Sequence, residues 1–190
     1  MKFIFFILLL IFARGCDFYS TSLWIFDHSS DEMNPLTQIF GMGWTGLIIV
    51  NLILVGLIIY GYYYHTFQYA TPKLSSSPDT LQDFVSEIYF NEKGKFYQVF
   101  YKMPKNKKVW MGHAGYVLIR VLIMASFLAT IHNLCQYYDV PAYHTFRAIV
   151  KRPLFVIYGL IVGSFLYFSY RLWASEYDAV RKIATDKNDA

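Results

Sequence analysis

The first apolar stretch of the sequence contains charged and hydroxyl side chains that membrane-spanning helices rarely carry. Asp17 follows Arg14 by three residues, and Thr21 follows Asp17 by four. On a helix these spacings put Asp17 and Thr21 on one face and bring Arg14 close enough to pair with the carboxylate. An ionisable residue at membrane depth costs about 3 kcal/mol and marks a functional candidate. A neutralised pair that only fixes helix packing is the alternative.

Glu32 and Asn34 extend this candidate site beyond the first helix. The Glu32 carboxylate can accept backbone hydrogen bonds or return towards Arg14. Asn34 precedes Pro35. That pair also has the ordinary chemistry of a helix start, in which asparagine caps the helix and proline opens its first turn. The functional and the capping interpretations both stay open.

Arg120 and His132 are the remaining candidates, and both lie in a later apolar segment. Arg120 either extends to the lipid headgroups or faces the interior, where its guanidinium would bind Asp17 or an anion. His132 is followed by another polar residue, Asn133. If Asp17, Arg120 and His132 share one cavity, a carboxylate with a perturbed pKa can transfer protons or bind an anion there.

The five histidines do not have the spacing of a known metal motif, because neither H-x-x-x-H nor H-E-x-x-H occurs. His65 and His113 are predicted at the same membrane face, so they are weak candidates for a metal or for bis-histidine haem. No cofactor is predicted beyond membrane lipids. Cys16 and Cys135 form neither a C-x-x-C motif nor a disulfide framework.

The first hairpin combines Asp17-x-x-Ser20-Thr21 with Glu32-x-Asn34-Pro35, and a glycine-led apolar helix follows. This pattern resembles a group of small prokaryotic multi-pass membrane proteins of unknown function, with D-x-x-x-T in the first helix and E-x-N-P before the second. The match covers about residues 1–60. That group often has a lysine in the second helix, where this chain has Asn51 and so lacks one partner for Asp17. The resemblance implies a shared hairpin and no particular activity.

The composition places these residues in a membrane protein. Of 190 residues, 56% are hydrophobic and only 16% are charged, whereas soluble domains have about 25% charged residues. The length suits a single membrane domain over residues 1–190. The net charge of +4 is small and the cations cluster in loops, so nucleic-acid binding is not predicted.

Four hydrophobic segments are predicted to cross the membrane as an all-α four-helix bundle. They are residues 3–26, 39–64, 116–138 and 153–173. The second segment has no charge and is long enough to cross about 30 Å of hydrocarbon. The tail comprises residues 174–190. In the loop 65–112, Ser77 and Pro78 predict the start of an amphipathic helix whose apolar residues continue to Phe90. It would lie on the inner membrane surface or on the bundle.

The first segment permits a second interpretation. Its apolar residues up to Ala13 resemble those of a signal peptide, and Arg14 to Cys16 loosely resembles a lipoprotein cleavage site. The apolar character that resumes from Phe18 to Phe26 favours one helix over residues 3–26 instead.

Lysine and arginine positions predict that both ends of the chain lie in the cytoplasm. The loop 65–112 holds seven lysines, whereas residues 27–38 hold no lysine or arginine. Arg147, Lys151 and Arg152 depart from this pattern, because they fall in the predicted outer loop. They would lie at headgroup level or face a functional cleft. A multi-pass protein of the plasma (inner) membrane is the simplest interpretation.

Two functions remain open. The first is a non-catalytic accessory, scaffold or assembly subunit of a membrane complex, which the Gly159-x-x-x-Gly163 pair favours because it permits close approach of a protein subunit or a second copy. The second is an intramembrane enzyme or small carrier with a polar cavity around Asp17, Glu32, Arg120 and His132. The absence of any catalytic spacing makes the enzyme the less favoured of the two.

Overall fold

The computed structural model describes residues 1–27, 43–72, 74 and 78–188, and their regular structure is entirely helical. The elements are α1 (Lys2–Asp27), α2 (Trp44–Phe67), α3 (Leu81–Phe90), a 3-10 helix (Phe96–Phe100), α4 (Lys107–Tyr137), α5 (Pro141–Val150) and α6 (Pro153–Asn188). The predicted all-α class is therefore confirmed for the described residues.

Four of these helices, α1, α2, α4 and α6, are long and apolar enough to cross a membrane. The predicted segments are thus confirmed by length and composition, which supports a multi-pass membrane protein. α1 continues through Arg14 and Asp17 without a break. α4 begins at Lys107 and α6 ends at Asn188, so both are longer than predicted. The apolar pattern marks only the lipid-facing part, whereas alanine, glutamate, lysine and arginine continue a helix beyond it.

The amphipathic helix α3 begins at Leu81, and its N-cap is Thr80. Pro78 precedes the helix, so the prediction that it lies in the first turn was wrong, and Ser77 lies outside the described residues. The Thr80 hydroxyl accepts a hydrogen bond from the Asp83 N–H at 3.1 Å, which satisfies a free donor of the first turn. The apolar face packs inside the protein, in a cluster of buried residues. They are Phe84, Val85, Ile88, Tyr89, Phe90 and Val109.

Residues predicted as the second outer loop contain a helix of their own, α5. Pro141 occupies its first turn, where a missing N–H costs no hydrogen bond. The helix ends at Val150, and its C-cap Lys151 adopts a φ of +57° while its N–H donates to the Arg147 carbonyl. Pro153 then begins α6 almost at once.

The chain divides into two compact units. The first unit comprises Met1–Ile59 and Ile119–Ser164, and the second comprises Tyr60–Leu118 and Phe165–Ala190. Within the second unit, α2 and α4 meet backbone to backbone at Gly61 and Gly115. A Cβ atom added at Gly115 would lie 2.0 Å from the Gly61 carbonyl oxygen. Only glycine permits this contact.

Candidate functional site

The Asp17 carboxylate lies in the first unit and is paired with Arg14, with 2.5 Å between Nη1 and Oδ2. The same guanidinium donates to the Ser126 hydroxyl of α4 at 3.2 Å and to the Asn51 side-chain oxygen of α2. The Arg14 and Asp17 side chains are only 12% and 16% exposed. One buried guanidinium therefore neutralises Asp17 and joins three helices, which is how polar side chains hold membrane helices together.

Ser20 and Thr21 continue this arrangement along α1. The Asn133 side-chain amide of α4 donates to both hydroxyl oxygens, each at 3.3 Å. Thr21 therefore contacts Asn133, which lies 112 residues later in the chain, and no sequence motif predicted this contact. Asn51, which was expected to leave Asp17 without a partner on the second helix, instead supports the guanidinium that holds Asp17.

Replacing Asp17 with asparagine is expected to lower the free energy of unfolding by about 2 kcal/mol, because it leaves the buried Arg14 charge uncompensated. Combining it with Arg14→Gln should recover part of that loss. A double-mutant cycle measured by denaturant titration in detergent gives the coupling, expected at about 1 kcal/mol. Additive losses from the two single variants would show that the pair does not contribute to packing.

Arg120 faces a different partner in the same unit. Its guanidinium lies 4.3 Å from the centre of the Phe6 ring of α1, a cation–π contact. Glu32 and Asn34 lie outside the described residues.

His132 lies at an open cleft of about 340 Å³ in the first unit. The cleft is lined by His132 and Gln136 of α4, by Arg147 of α5 and by residues 151–155. The Tyr143 hydroxyl shares a hydrogen bond with His132 Nδ1. Burial raises the pKa of Tyr143, so its hydroxyl keeps its proton. Asp17 thus pairs with Arg14, Arg120 lies over Phe6, and His132 shares a hydrogen bond with Tyr143.

A buried polar cluster lies in the second unit around His113, which is 3% exposed. The Tyr89 hydroxyl lies 2.8 Å from His113 Nδ1, and Glu176 Oε2 lies 3.1 Å from Nε2. The Tyr69 hydroxyl donates to Glu176 at 3.0 Å, and the Trp173 N–H donates to the Tyr89 hydroxyl at 3.2 Å. Sequence reasoning had named His113 only as a metal candidate, and it had not found the other four residues.

The neighbouring hydrogen-bond donors indicate which atoms in this cluster carry the protons. Burial raises the pKa of Tyr69 and of Tyr89, and the nearby Glu176 charge raises both further. Both hydroxyls therefore keep their protons. Because Tyr89 already accepts from Trp173, its own O–H is best used as a donor to His113 Nδ1. His113 then carries its proton on Nε2, which lies 2.9 Å from the Tyr69 hydroxyl oxygen and 3.1 Å from Glu176 Oε2.

The His65 ring packs among tyrosines of the second unit, 5.0 Å from the Tyr116 ring and 5.7 Å from the Tyr69 ring. Among the described residues, no group of three histidine, cysteine, aspartate or glutamate side chains converges as metal ligands would. Cys16 and Cys135, both in the first unit, are free thiols.

Comparisons with protein-family models, curated proteins and solved structures gave no match.

The chemistry of the clusters themselves is therefore the guide to function. A catalytic acid or base must reach a substrate proton directly or through one water. Asp17 is instead bound by Arg14, and His113 is enclosed by Glu176 and two tyrosines. These contacts are suited to holding helices in place. The cleft at His132 is open, so its cationic lining can meet a ligand.

Proposed function

We propose that this chain is a non-catalytic accessory, scaffold or assembly subunit of a complex in the plasma membrane. It folds as a four-helix bundle with both ends of the chain on the cytoplasmic side. The lysine-rich loop 65–112 supports this orientation, since cytoplasmic loops carry an excess of lysine and arginine.

The exposed face of α6 carries the proposal. Only 6% of the apolar stretch of α6 is buried within the chain, compared with 33% for α4. Gly159 and Gly163 lie one turn apart on α6, and a Cβ atom added at either would meet nothing within 4 Å. Large apolar residues suit a lipid-facing surface, whereas paired small residues are typical of the place where another helix packs closely.

The internal polar clusters support the same proposal. Arg14 and Asp17 neutralise each other between helices, and His113 and Glu176 lie within hydrogen-bond distance of each other in the second unit. The alternative, an enzyme or small carrier, requires Asp17, Arg120 and His132 to line one cavity. Their separate contacts give that alternative no support.

Replacing Gly163 with leucine is expected to weaken association by roughly tenfold or more, because the side chain holds the partner helix away from α6. The test is co-purification from membranes in mild detergent, followed by cross-linking and mass determination of the bands. Gly56→Leu is the matched control, since Gly56 of α2 also has nothing within 4 Å. A wild-type chain that is monomeric in both detergent and cross-linked membranes would refute the proposal.

A further inference from the structure

We propose that the cleft at the junction of α4, α5 and α6 binds the phosphate headgroup of an anionic phospholipid. Its volume of about 340 Å³ lies within the range of about 300–1,000 Å³ that small-molecule sites occupy. The cleft belongs to the first unit, and its lining ends at Phe155, four residues before Gly159 on α6. The experiment below uses the purified chain alone, so its result does not depend on whether α6 binds another subunit.

The positive charge of the cleft favours an anion as its ligand. Arg147, Lys151 and Arg152 all line it, and its lining contains no carboxylate. Asp139, an acidic residue close by in the chain, is 84% exposed and pairs with His144 at 2.6 Å. Three cations around one opening repel one another, and a bound anion relieves that repulsion. Two of them are arginines, whose planar guanidinium groups match the geometry of phosphate oxygens.

The local backbone explains why these three cations lie together. Arg147 occupies the last turn of α5, and the Lys151 N–H returns to the Arg147 carbonyl at 2.8 Å. Lys151 has a φ of +57°, a conformation in which the α-helix cannot continue. Arg152 and Pro153 follow directly, so the end of α5 and the start of α6 form one corner of the cleft.

The apolar part of the lining distinguishes a lipid from a free phosphate ion. Leu154 and Phe155 line the cleft and belong to the first turn of a helix that can span a membrane. Phe155 is 66% exposed, and the Arg152 guanidinium lies 5.8 Å from the centre of its ring. On α5, Ile149 is 76% exposed, as expected for an amphipathic helix at the membrane interface. Cationic and apolar surfaces side by side suit a phosphate with an acyl chain attached.

The experiment counts lipids that stay bound to the purified full chain in detergent, by native mass spectrometry. Phosphatidylglycerol is added at low mole fraction, so that no charged bilayer surface is present, and phosphatidylcholine is the neutral comparison. Each chain should retain one phosphatidylglycerol molecule, and it should bind this lipid more tightly than it binds phosphatidylcholine. The triple variant Arg147→Gln, Lys151→Gln, Arg152→Gln should weaken this binding roughly 100-fold, at about fivefold for each cation lost.

The matched control removes three exposed lysines from the other unit: Lys102→Gln, Lys107→Gln, Lys108→Gln. It should change the affinity by less than about twofold, because those lysines lie outside the cleft. Arg147→Lys with Arg152→Lys should retain most of the binding, which separates lost charge from lost structure. All the altered side chains are exposed, so thermal midpoints should stay close to wild type.

Three results would overturn the proposal. The first is equal weakening by both triple variants, which would indicate general charge attraction. The second is equal retention of phosphatidylcholine, which would indicate an apolar contact only. The third is displacement of the lipid by millimolar inorganic phosphate, which would indicate a site for the free ion.

Discussion

Alanine at position 115 is expected to lower the free energy of unfolding by about 3 kcal/mol. Its Cβ would lie 2.0 Å from the Gly61 carbonyl oxygen, 2.1 Å from the Gly61 carbonyl carbon and 2.6 Å from the Tyr62 nitrogen. These are backbone atoms, so no side-chain rotation can relieve the overlap. α2 and α4 must therefore move apart where they now touch, and the van der Waals contacts along this line are lost.

Glycine-to-alanine changes elsewhere in the chain give a graded control. A Cβ at Gly61 would lie 3.1 Å from the Gly115 Cα, and one at Gly56 would meet nothing within 4 Å. The expected order of destabilisation is Gly115→Ala, then Gly61→Ala, with Gly56→Ala neutral or slightly stabilising because alanine favours helix. The measurement is unfolding followed by tryptophan fluorescence in detergent. Equal midpoints for the variants at 115 and 56 would show that the two helices do not meet here.

His113→Ala is expected to cost about 3 kcal/mol, the second large effect, because it removes a buried ring and its hydrogen bonds. The change leaves the Glu176 carboxylate, which is 11% exposed, without its histidine and removes the acceptor of the Tyr89 hydroxyl. The Tyr69 hydroxyl still donates to Glu176, but the carboxylate loses one hydrogen bond in a place that water reaches poorly. Tyr89→Phe removes a single hydroxyl from the same cluster and should cost only about 1 kcal/mol.

An exposed histidine–carboxylate pair provides the control for this prediction. His144 and Asp139 are 2.6 Å apart but 51% and 84% exposed. His144→Ala should therefore change the free energy of unfolding by less than about 1 kcal/mol, since water replaces the lost contact. Denaturant titrations of both variants under the same conditions compare the two pairs. If the two losses are equal, His113 is not enclosed as described.

The sequence predicted the long helices well because apolar composition and length are local properties. It also predicted the Arg14–Asp17 pairing, since a spacing of three residues on a helix leaves little freedom. The short helix α5 was missed because ten amphipathic residues between two spans read as a connecting loop. Thr80 was missed as a cap because Ser77 and Pro78 form the stronger local pattern.

The contacts that the sequence could not predict join distant segments. Tyr69 and Glu176 are 107 residues apart, so no spacing rule links them. The meeting of Gly61 with Gly115 depends on the rotation of two separate helices about their axes, and glycines in an apolar helix are common. The same uncertainty in rotation left open whether Arg120 would face Asp17, and in the structure it faces Phe6.

Part of the surface that buries α3 is synthesised well after α3 itself. Its buried face packs against Trp173, Tyr177 and Val180, which follow Phe90 by more than 80 residues. At roughly 5–20 residues per second, the ribosome needs on the order of several seconds to reach them after α3 has been made. During that interval α3 lacks the α6 side of its final surroundings, so Phe84, Val85 and Ile88 are open to chaperones or proteases. Completion of the last helix ends that exposure.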